Sequence, residues 1–266
     1  MIKNVLSIAG SDPSGGAGIQ ADIKAISANG AYAMAAITAL TAQNTQGVSG
    51  VHHVPASFVA DQIAAIFADI KVDAVKIGMI ANAGIAQSVA DTLRAWPDVP
   101  VVLDPVMIAK GGTPLLAQDA VCTMRDALLP KTTVLTPNLP EAAYLLGKPE
   151  ATTRDEMVAQ GRELCGMGPA AVLMKGGHLD VDDSPDVLVT NKQEFWLNAP
   201  RFATKNTHGT GCTLSAALAA QIANGATMQE ACSAAKTYVA QAIEAANQLS
   251  VGKGHGPTHH FASLYR

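Results

Sequence analysis

The chain has 266 residues, of which 48% are apolar, 15% charged and 4% aromatic, with 23 glycines that follow no period. These fractions exclude intrinsic disorder and a fibrous repeat. A formal net charge of -4 argues against nucleic acid as a partner, because no basic excess is present to release phosphate counterions.

Apolar runs of strand length alternate with segments of helical period. Val5–Ala9 predicts a first strand, followed by the loop Gly10-Ser11-Asp12-Pro13-Ser14-Gly15-Gly16-Ala17-Gly18. One lysine and a short apolar run ahead of that loop are too little for a secretory leader. Ile19, Ile23 and Ile26 then recur at helical spacing, with Gly30 as the stop. Ala33–Leu40 reads as one strand. Residues 57 to 70 read as a helix with Phe58, Ile63, Ile66 and Phe67 inward. Ala74–Ile77 is a strand, then Gly78-Met79 leads to a helix ending near Arg94. Val101–Leu103, Val134–Leu135 and Ala171–Met174 are strands that end at Asp104-Pro105, Thr136-Pro137-Asn138 and Lys175-Gly176-Gly177. Val187–Val189 and Phe195–Leu197 predict a hairpin. Residues 211 to 224 and 228 to about 247 are Ala-rich helices.

Continuous apolar strands between helices predict a mostly parallel sheet covered on both faces, a three-layer α/β/α sandwich. No composition break or linker divides residues 1–266, so a single domain is expected. No apolar run reaches the roughly 18 residues that span a bilayer, so no membrane is expected. Four cysteines (Cys122, Cys165, Cys212 and Cys232) without a C-x-x-C pair predict free thiols and a reducing, cytoplasmic location. Three of them, Cys122, Cys165 and Cys232, are placed in helix interiors as packing residues.

In such folds ligands bind beyond the carboxyl ends of the strands. Asp12, Asp104, Asn138, Glu141, Lys175 and Gly176 all follow predicted strand ends. One strand-end Asp is often only a helix cap, but several at one sheet edge make a site. The most informative segment is Asn206-Thr207-His208-Gly209-Thr210-Gly211-Cys212-Thr213-Leu214-Ser215-Ala216-Ala217. Its Gly-Thr-Gly turn opens a long helix whose free N–H groups and dipole suit an anion. The plainer reading is a helix capped by Thr210. Cys212 in the first turn is expected to have a lowered pKa, which would let it act as base or nucleophile; the plainer reading is a small buried apolar residue. His255, His259 and His260 read as a solvated tail rather than metal ligands, and His52-His53 as a loop. The P-loop, dinucleotide-binding, protein-kinase and hydrolase-elbow motifs are absent.

Together with Ile8–Asp22, Thr38–Thr45, Lys76–Met79, Leu103–Met107, Thr136–Ala142 and Met174–His178, the Asn206–Ala217 run resembles hydroxymethylpyrimidine/phosphomethylpyrimidine kinase. This is the thiamine-pathway member of the ribokinase-like superfamily, and the resemblance runs from about residue 4 to the end of the chain. It implies a ribokinase-like fold and transfer of the ATP γ-phosphate to 4-amino-5-hydroxymethyl-2-methylpyrimidine, then to its monophosphate. It implies that Gln43 holds the pyrimidine, with Asp22, Met79, Val106, Gly10 and Ala17 lining the same pocket. It also implies an anion hole of Gly209, Thr210, Gly211 and Cys212 amides, with Cys212 accepting the hydroxyl proton.

By the same resemblance Asp104 and Glu141 form the Mg²⁺ neighbourhood. Lys175, Asn138, Thr207 and Lys205 lie on the ATP side, and the molecule is a homodimer. The residues themselves, Gly111-Gly112 after Lys110, read as a hinge. The alternatives are a pyridoxal/pyridoxine-type vitamin kinase, a hydrolase or transferase using Cys212 with His208, and a non-catalytic nucleotide-binding module.

Overall fold

The computed structural model of the chain describes residues 1–107, 118–179 and 183–265. In chain order the elements are β1 (Asn4–Ala9), α1 (Gly18–Ala28), β2 (Tyr32–Ile37), β3 (Ala39–Asn44), β4 (Gly47–His53) and α2 (Ala56–Asp69). Then come β5 (Ala74–Ile77), α3 (Ala83–Leu93), β6 (Val101–Leu103), α4 (Gln118–Thr123), β7 (Val134–Leu135), α5 (Leu139–Leu146) and α6 (Arg154–Cys165). The chain closes with β8 (Ala171–Lys175), β9 (Asp186–Val189), β10 (Glu194–Leu197), α7 (Thr210–Ala223) and α8 (Met228–Glu244). Gly111 and Gly112, the expected hinge, lie outside the described residues.

The sheet order is β10-β9-β8-β7-β6-β5-β1-β2. Strands β8 through β2 run parallel, and β9 and β10 add an antiparallel edge. Side chains alternate across the pleat, and each strand therefore feeds two cores. Leu6, Ile8, Val75, Ile77, Leu103 and Leu135 join Val59, Ile63, Ile85 and Val89 of α2 and α3 on one face. Val5, Ala74, Val102, Val134 and Leu173 join Ile26 of α1 and Leu214, Ala217 and Leu218 of α7 on the other. The result is the expected three-layer α/β/α sandwich. Its small residues matter on the α7 face, where Ala216, Ala217, Ala219 and Ala220 are fully buried and bring that helix close to the sheet.

The expected strand Ala33–Leu40 is two strands. Buried Thr38 turns the chain away by donating its hydroxyl to the Met79 carbonyl at 2.6 Å. Residues 39 to 53 then form a separate antiparallel hairpin, β3–β4, so His52 and His53 lie on a strand, exposed, and not in a loop. Phe58 faces out, 57% exposed, because Val59 and Ile63 occupy the inward stripe of α2. Ile23 likewise faces solvent at 39% exposure, unlike its partners Ile19 and Ile26. Cys165 is the last residue of α6 and not an interior one.

Of the three C-terminal histidines only His255 is exposed; His259 and His260 are not part of a solvated tail. His259 and His260 are each 5% exposed, and His259 N–H bonds the Ala242 carbonyl of α8. The four cysteines are free thiols. Among the described residues no helix is long and apolar enough to cross a membrane.

Candidate active site

The carboxyl ends of β1, β5, β6, β7 and β8 converge on the N-terminus of α7. Two charged groups and one polar chain meet there. The first group is centred on Asp104, which follows β6 and is 2% exposed. Its Oδ1 accepts from Lys175 Nζ at 2.9 Å and from the Thr136 hydroxyl at 3.3 Å; its Oδ2 accepts from the Ser215 hydroxyl at 3.3 Å. Lys175 Nζ is also 3.8 Å from Glu141 Oε2. Burial raises the Asp104 pKa, but Lys175 and Lys76 outweigh it and hold the carboxyl below its usual range. Burial lowers the Lys175 pKa, and Asp104 with Glu141 outweighs it in the opposite direction. Glu141 is pushed up to about 7, first by burial, with Lys175 pulling it down and Asp104 pushing it up.

Asn138 and Glu141 also form a reciprocal capping box at the start of α5, at 2.8 Å in each direction. The cap and the site are therefore the same residues: capping aims the Glu141 carboxylate toward Lys175. Gly211 sits so close that an added Cβ would lie 3.4 Å from Lys175 Nζ and 3.5 Å from Asp104 Oδ2. The open end of α7 thus faces the Lys175–Asp104 pair.

The second group is wholly internal. Lys76 Nζ bonds both Asp22 oxygens, at 2.9 and 2.8 Å, and the Ser7 hydroxyl donates to Asp22 Oδ2 at 2.6 Å. Both charged side chains are 0% exposed. Burial pushes the Asp22 carboxyl up while Lys76 and Ser7 pull against it. Lys76, though desolvated, is held above its ordinary value by Asp22, Cys212 and Asp104. Asp22 was expected to line the pyrimidine pocket. It lies instead beneath the surface with its oxygens committed to Lys76 and Ser7.

Cys212 is half-buried in the first turn of α7. Its pKa does not fall as expected: burial pushes the thiol up to about 11, with Lys76 pulling it down and Asp22 and Asp104 pushing it up. A helix terminus in a pocket with two nearby carboxylates leaves a neutral thiol at rest. Thr210 is not the side-chain cap. Gly209 is the N-cap, at φ +76, and the Thr210 hydroxyl bonds the Thr207 carbonyl at 2.7 Å. With no side-chain cap on its first amides, the helix start is left for a ligand.

The polar chain joins the Gly-rich loop to the α7 entrance and to the β3–β4 hairpin. Asp12 Oδ1 accepts from Ser14 N–H at 2.9 Å and the Ser14 hydroxyl at 2.7 Å. Asp12 Oδ2 accepts from Ala17 N–H at 2.9 Å and lies 2.7 Å from His208 Nε2. Burial raises the Asp12 pKa, and the bonds from His208 and Ser14 more than offset it, holding the carboxyl low. Gln43, half-buried on β3, faces His208 at 3.4 Å. An added Cβ at Gly209 would strike the Gly16 carbonyl oxygen, and one at Gly16 would lie 2.5 Å from His208 Cδ2. Glycine at both positions is what lets the two loops touch.

Most of the expected site residues are brought to this edge. Gly10 packs on Met79, whose methyl occupies the space a Cβ would fill. Ala17 precedes α1 and abuts Gly209; Val106 follows Asp104, half-buried. Thr207 lies at the entrance of α7. Lys205 is exposed, and no described contact joins its side chain to the Asp104–Lys175 group. His208 pairs with Asp12, and among the described hydrogen bonds none links it to Cys212, so the Cys–His reading finds no support. Lys76, Thr136 and Ser215 lie within the quoted motifs without an expected role, and the structure places their side chains against Asp22 and Asp104. A lysine inside a four-residue apolar parallel strand was the available signal, since such a cation needs a buried partner.

The donor set suits Mg²⁺ brought in by a nucleotide. Asp104 and Glu141 offer hard oxygens beside Lys175, and the ion takes few direct protein ligands. Among the described residues no group of three or more His, Cys, Asp or Glu could hold a metal alone.

The family model for phosphomethylpyrimidine kinase matches residues 12–259. A hydroxymethylpyrimidine/phosphomethylpyrimidine kinase of Escherichia coli is 54% identical over 258 residues, covering 97% of each chain. The thiamine biosynthesis bifunctional protein ThiED of Geobacter sulfurreducens is 46% identical over 97% of this chain and 52% of its own length. Among solved structures, the pyridoxal kinase of Staphylococcus aureus in complex with AMP-PCP and pyridoxal superposes with a TM-score of 0.90 at 33% identity, covering 100% of this chain and 96% of that one.

Proposed function

From the premise that this chain belongs to the phosphomethylpyrimidine kinase family, whose ribokinase-like fold it has, we propose how its residues perform the reaction. The chain is a kinase of thiamine biosynthesis that phosphorylates hydroxymethylpyrimidine and phosphomethylpyrimidine. ATP is the phosphoryl donor.

The carrying observation is the uncapped start of α7 facing the Lys175–Asp104 pair, with Cys212 in the first turn. Phosphoryl transfer needs positioning and charge stabilisation more than covalent chemistry by the protein. The amides of Gly209, Thr210, Gly211 and Cys212 hold the equatorial oxygens of the transferring group, and the Lys175 ammonium neutralises charge beside them. Asp104 and Glu141 would hold Mg²⁺, directly or through water, and an ion there would supply neutralisation of phosphate charge. Asn138 fixes Glu141, and Thr207 with Lys205 flank the nucleotide.

Gln43, Met79, Val106, Gly10 and Ala17 receive the pyrimidine, a carboxamide being able to both donate to a ring nitrogen and accept from an amine. Asp22 acts from below by fixing Lys76, whose charge favours the Cys212 thiolate. In the first transfer the substrate hydroxyl oxygen bonds to the γ-phosphorus, the bond from that phosphorus to the bridging oxygen of ADP breaks, and the hydroxyl proton passes to the Cys212 thiolate, the minor form that Lys76 favours over the resting thiol. In the second transfer a phosphate oxygen of the monophosphate, already ionised, attacks the γ-phosphorus and the same bond to ADP breaks, with no proton to remove.

One domain spanning residues 1–266, a cytoplasmic location and a homodimer belong to the same reading.

The test is an ATP-dependent panel of hydroxymethylpyrimidine, its monophosphate, pyridoxal, pyridoxine and ribose, with product masses read. Two successive additions to the pyrimidine are expected. Preference for pyridoxal, named in the S. aureus structure, would transfer the assignment of substrate to the vitamin-kinase branch.

A further inference from the structure

We propose that His208, held by Asp12, is a positioning residue that sets the direction of the Gln43 carboxamide and so selects substrates by the order of donor and acceptor on their ring edge. This rests on the reading that Gln43 receives the pyrimidine. The available hydrogens set each bond's direction. Asp12 Oδ1 already accepts two donors, Ser14 N–H and the Ser14 hydroxyl. Asp12 Oδ2 accepts Ala17 N–H. A carboxylate so placed accepts only, so the 2.7 Å bond to His208 must be donated by Nε2–H. That nitrogen then has no lone pair to offer Gln43.

At the other end of the amide, the Thr41 hydroxyl gives its single hydrogen to the Ser11 carbonyl at 2.9 Å, and Thr41 N–H bonds the Ser11 hydroxyl at 3.1 Å. Toward Gln43, 3.3 Å away, Thr41 Oγ1 therefore presents only lone pairs. With Gln43 Nε2 toward His208 and Oε1 toward Thr41, donor meets donor and acceptor meets acceptor. The oxygen and nitrogen of a carboxamide are nearly isosteric, so a half turn of the amide relieves both conflicts without moving a neighbour. In that direction Nε2 donates to Thr41 and Oε1 faces His208 Nε2–H. One amide hydrogen and one oxygen lone pair remain for a ligand.

The consequence is a fixed reading frame. The ligand edge must place an acceptor on the Thr41 side and a donor on the His208 side. A 4-aminopyrimidine has that order, with ring nitrogen and exocyclic amine. Its 4-oxo analogue carries a ring N–H beside a carbonyl and reverses it. Asp12 and His208 would then reject the analogue by opposing the amide rotation that the analogue needs, the discrimination coming from polar groups left unpaired.

The experiment compares kcat/KM for 5-hydroxymethyl-2-methylpyrimidin-4-amine and its 4-oxo analogue in the full chain, with KM for ATP as the internal control. His208→Met, which lacks the donor, is expected to reduce the amino-over-oxo preference by about tenfold or more while KM for ATP stays within about twofold. His208→Gln, which can still donate to Asp12, is expected to retain most of the preference, and it serves if His208→Met does not fold. In a Gln43→Leu background His208→Met should add nothing, because there is no amide left to direct. An unchanged preference in His208→Met, or a further loss in the double variant, overturns the proposal. If Gln43→Leu alone leaves KM for the pyrimidine unaltered, the placement of Gln43 in the pocket is wrong, and this inference goes with it.

Discussion

At the scale of single residues, Cys212 carries the sharpest prediction. A thiol pushed up to about 11 is protonated near pH 7, so the base form grows as pH rises. The first transfer removes a proton from an alcohol, and its kcat should climb with pH between about 7 and 9. The second transfer differs in kind. A phosphate monoester, with its second pKa near 6, is already a dianion at pH 7 and has no proton to lose. Cys212→Ala should therefore cut the first transfer by roughly 10²-fold or more, the usual contribution of a positioned acid or base. The second transfer and KM for ATP should change little, and the residual first transfer should lose its pH slope. Equal losses in both steps, measured from hydroxymethylpyrimidine and its monophosphate separately, would make the thiol a packing residue of the anion hole.

Elements differ in how plainly the sequence marks them. Ala74–Ile77, Val101–Leu103 and Val134–Leu135 have the limits expected, because a strand buried on both faces announces itself as an unbroken apolar run. The β3–β4 hairpin was missed because it lies apart from the main sheet and is mostly exposed. Its mixture of Thr, Gln, Asn, Gly and His hides the alternation, yet it carries Gln43. The Gly-Thr-Gly turn at the α7 entrance is legible in the sequence, while the alternative of a Thr210 cap fails, since the reason for Gly209 is in another loop 193 residues earlier. Gly209→Ala combines a left-handed φ of +76 with a clash against the Gly16 carbonyl. Gly147, at φ +65 with nothing within 4 Å, isolates the conformational part alone. Gly147→Ala should cost about 1–2 kcal/mol of unfolding free energy. Gly209→Ala should cost clearly more in urea titration and raise KM for ATP as well. Equal destabilisation by the two would mean that the loop contact at Gly16 yields freely.

The whole molecule is closed by a segment whose role no local pattern revealed. Residues 254–260 bond the hairpin turn through His255 N–H to the Thr45 carbonyl and the α7 entrance through His208 N–H to the Gly256 carbonyl. His260 ends this strap inside the protein, with Nε2 3.1 Å from the Thr213 hydroxyl. Burial lowers its pKa to about 4, with smaller contributions from Lys24, His259 and His208. The folded state thus binds this proton less readily than the unfolded chain, whose histidines titrate near 6.5. Its stabilising contribution is complete above about pH 6.5 and is lost as pH falls toward 4. Glu141 has the opposite sign: raised to about 7, it stabilises the folded state below its ordinary range and loses that contribution as pH rises through 7. The wild-type curve contains both, so only variants separate them. Between pH 7 and pH 5, His260→Gln should lose roughly 2 kcal/mol less stability than the wild type, the free energy of about one and a half pKa units of linkage. Glu141→Gln should lose more than the wild type over the same interval. Urea unfolding at several pH values measures both differences. Parallel curves for His260→Gln and the wild type would show that the strap opens to water at His260 before the rest of the fold gives way.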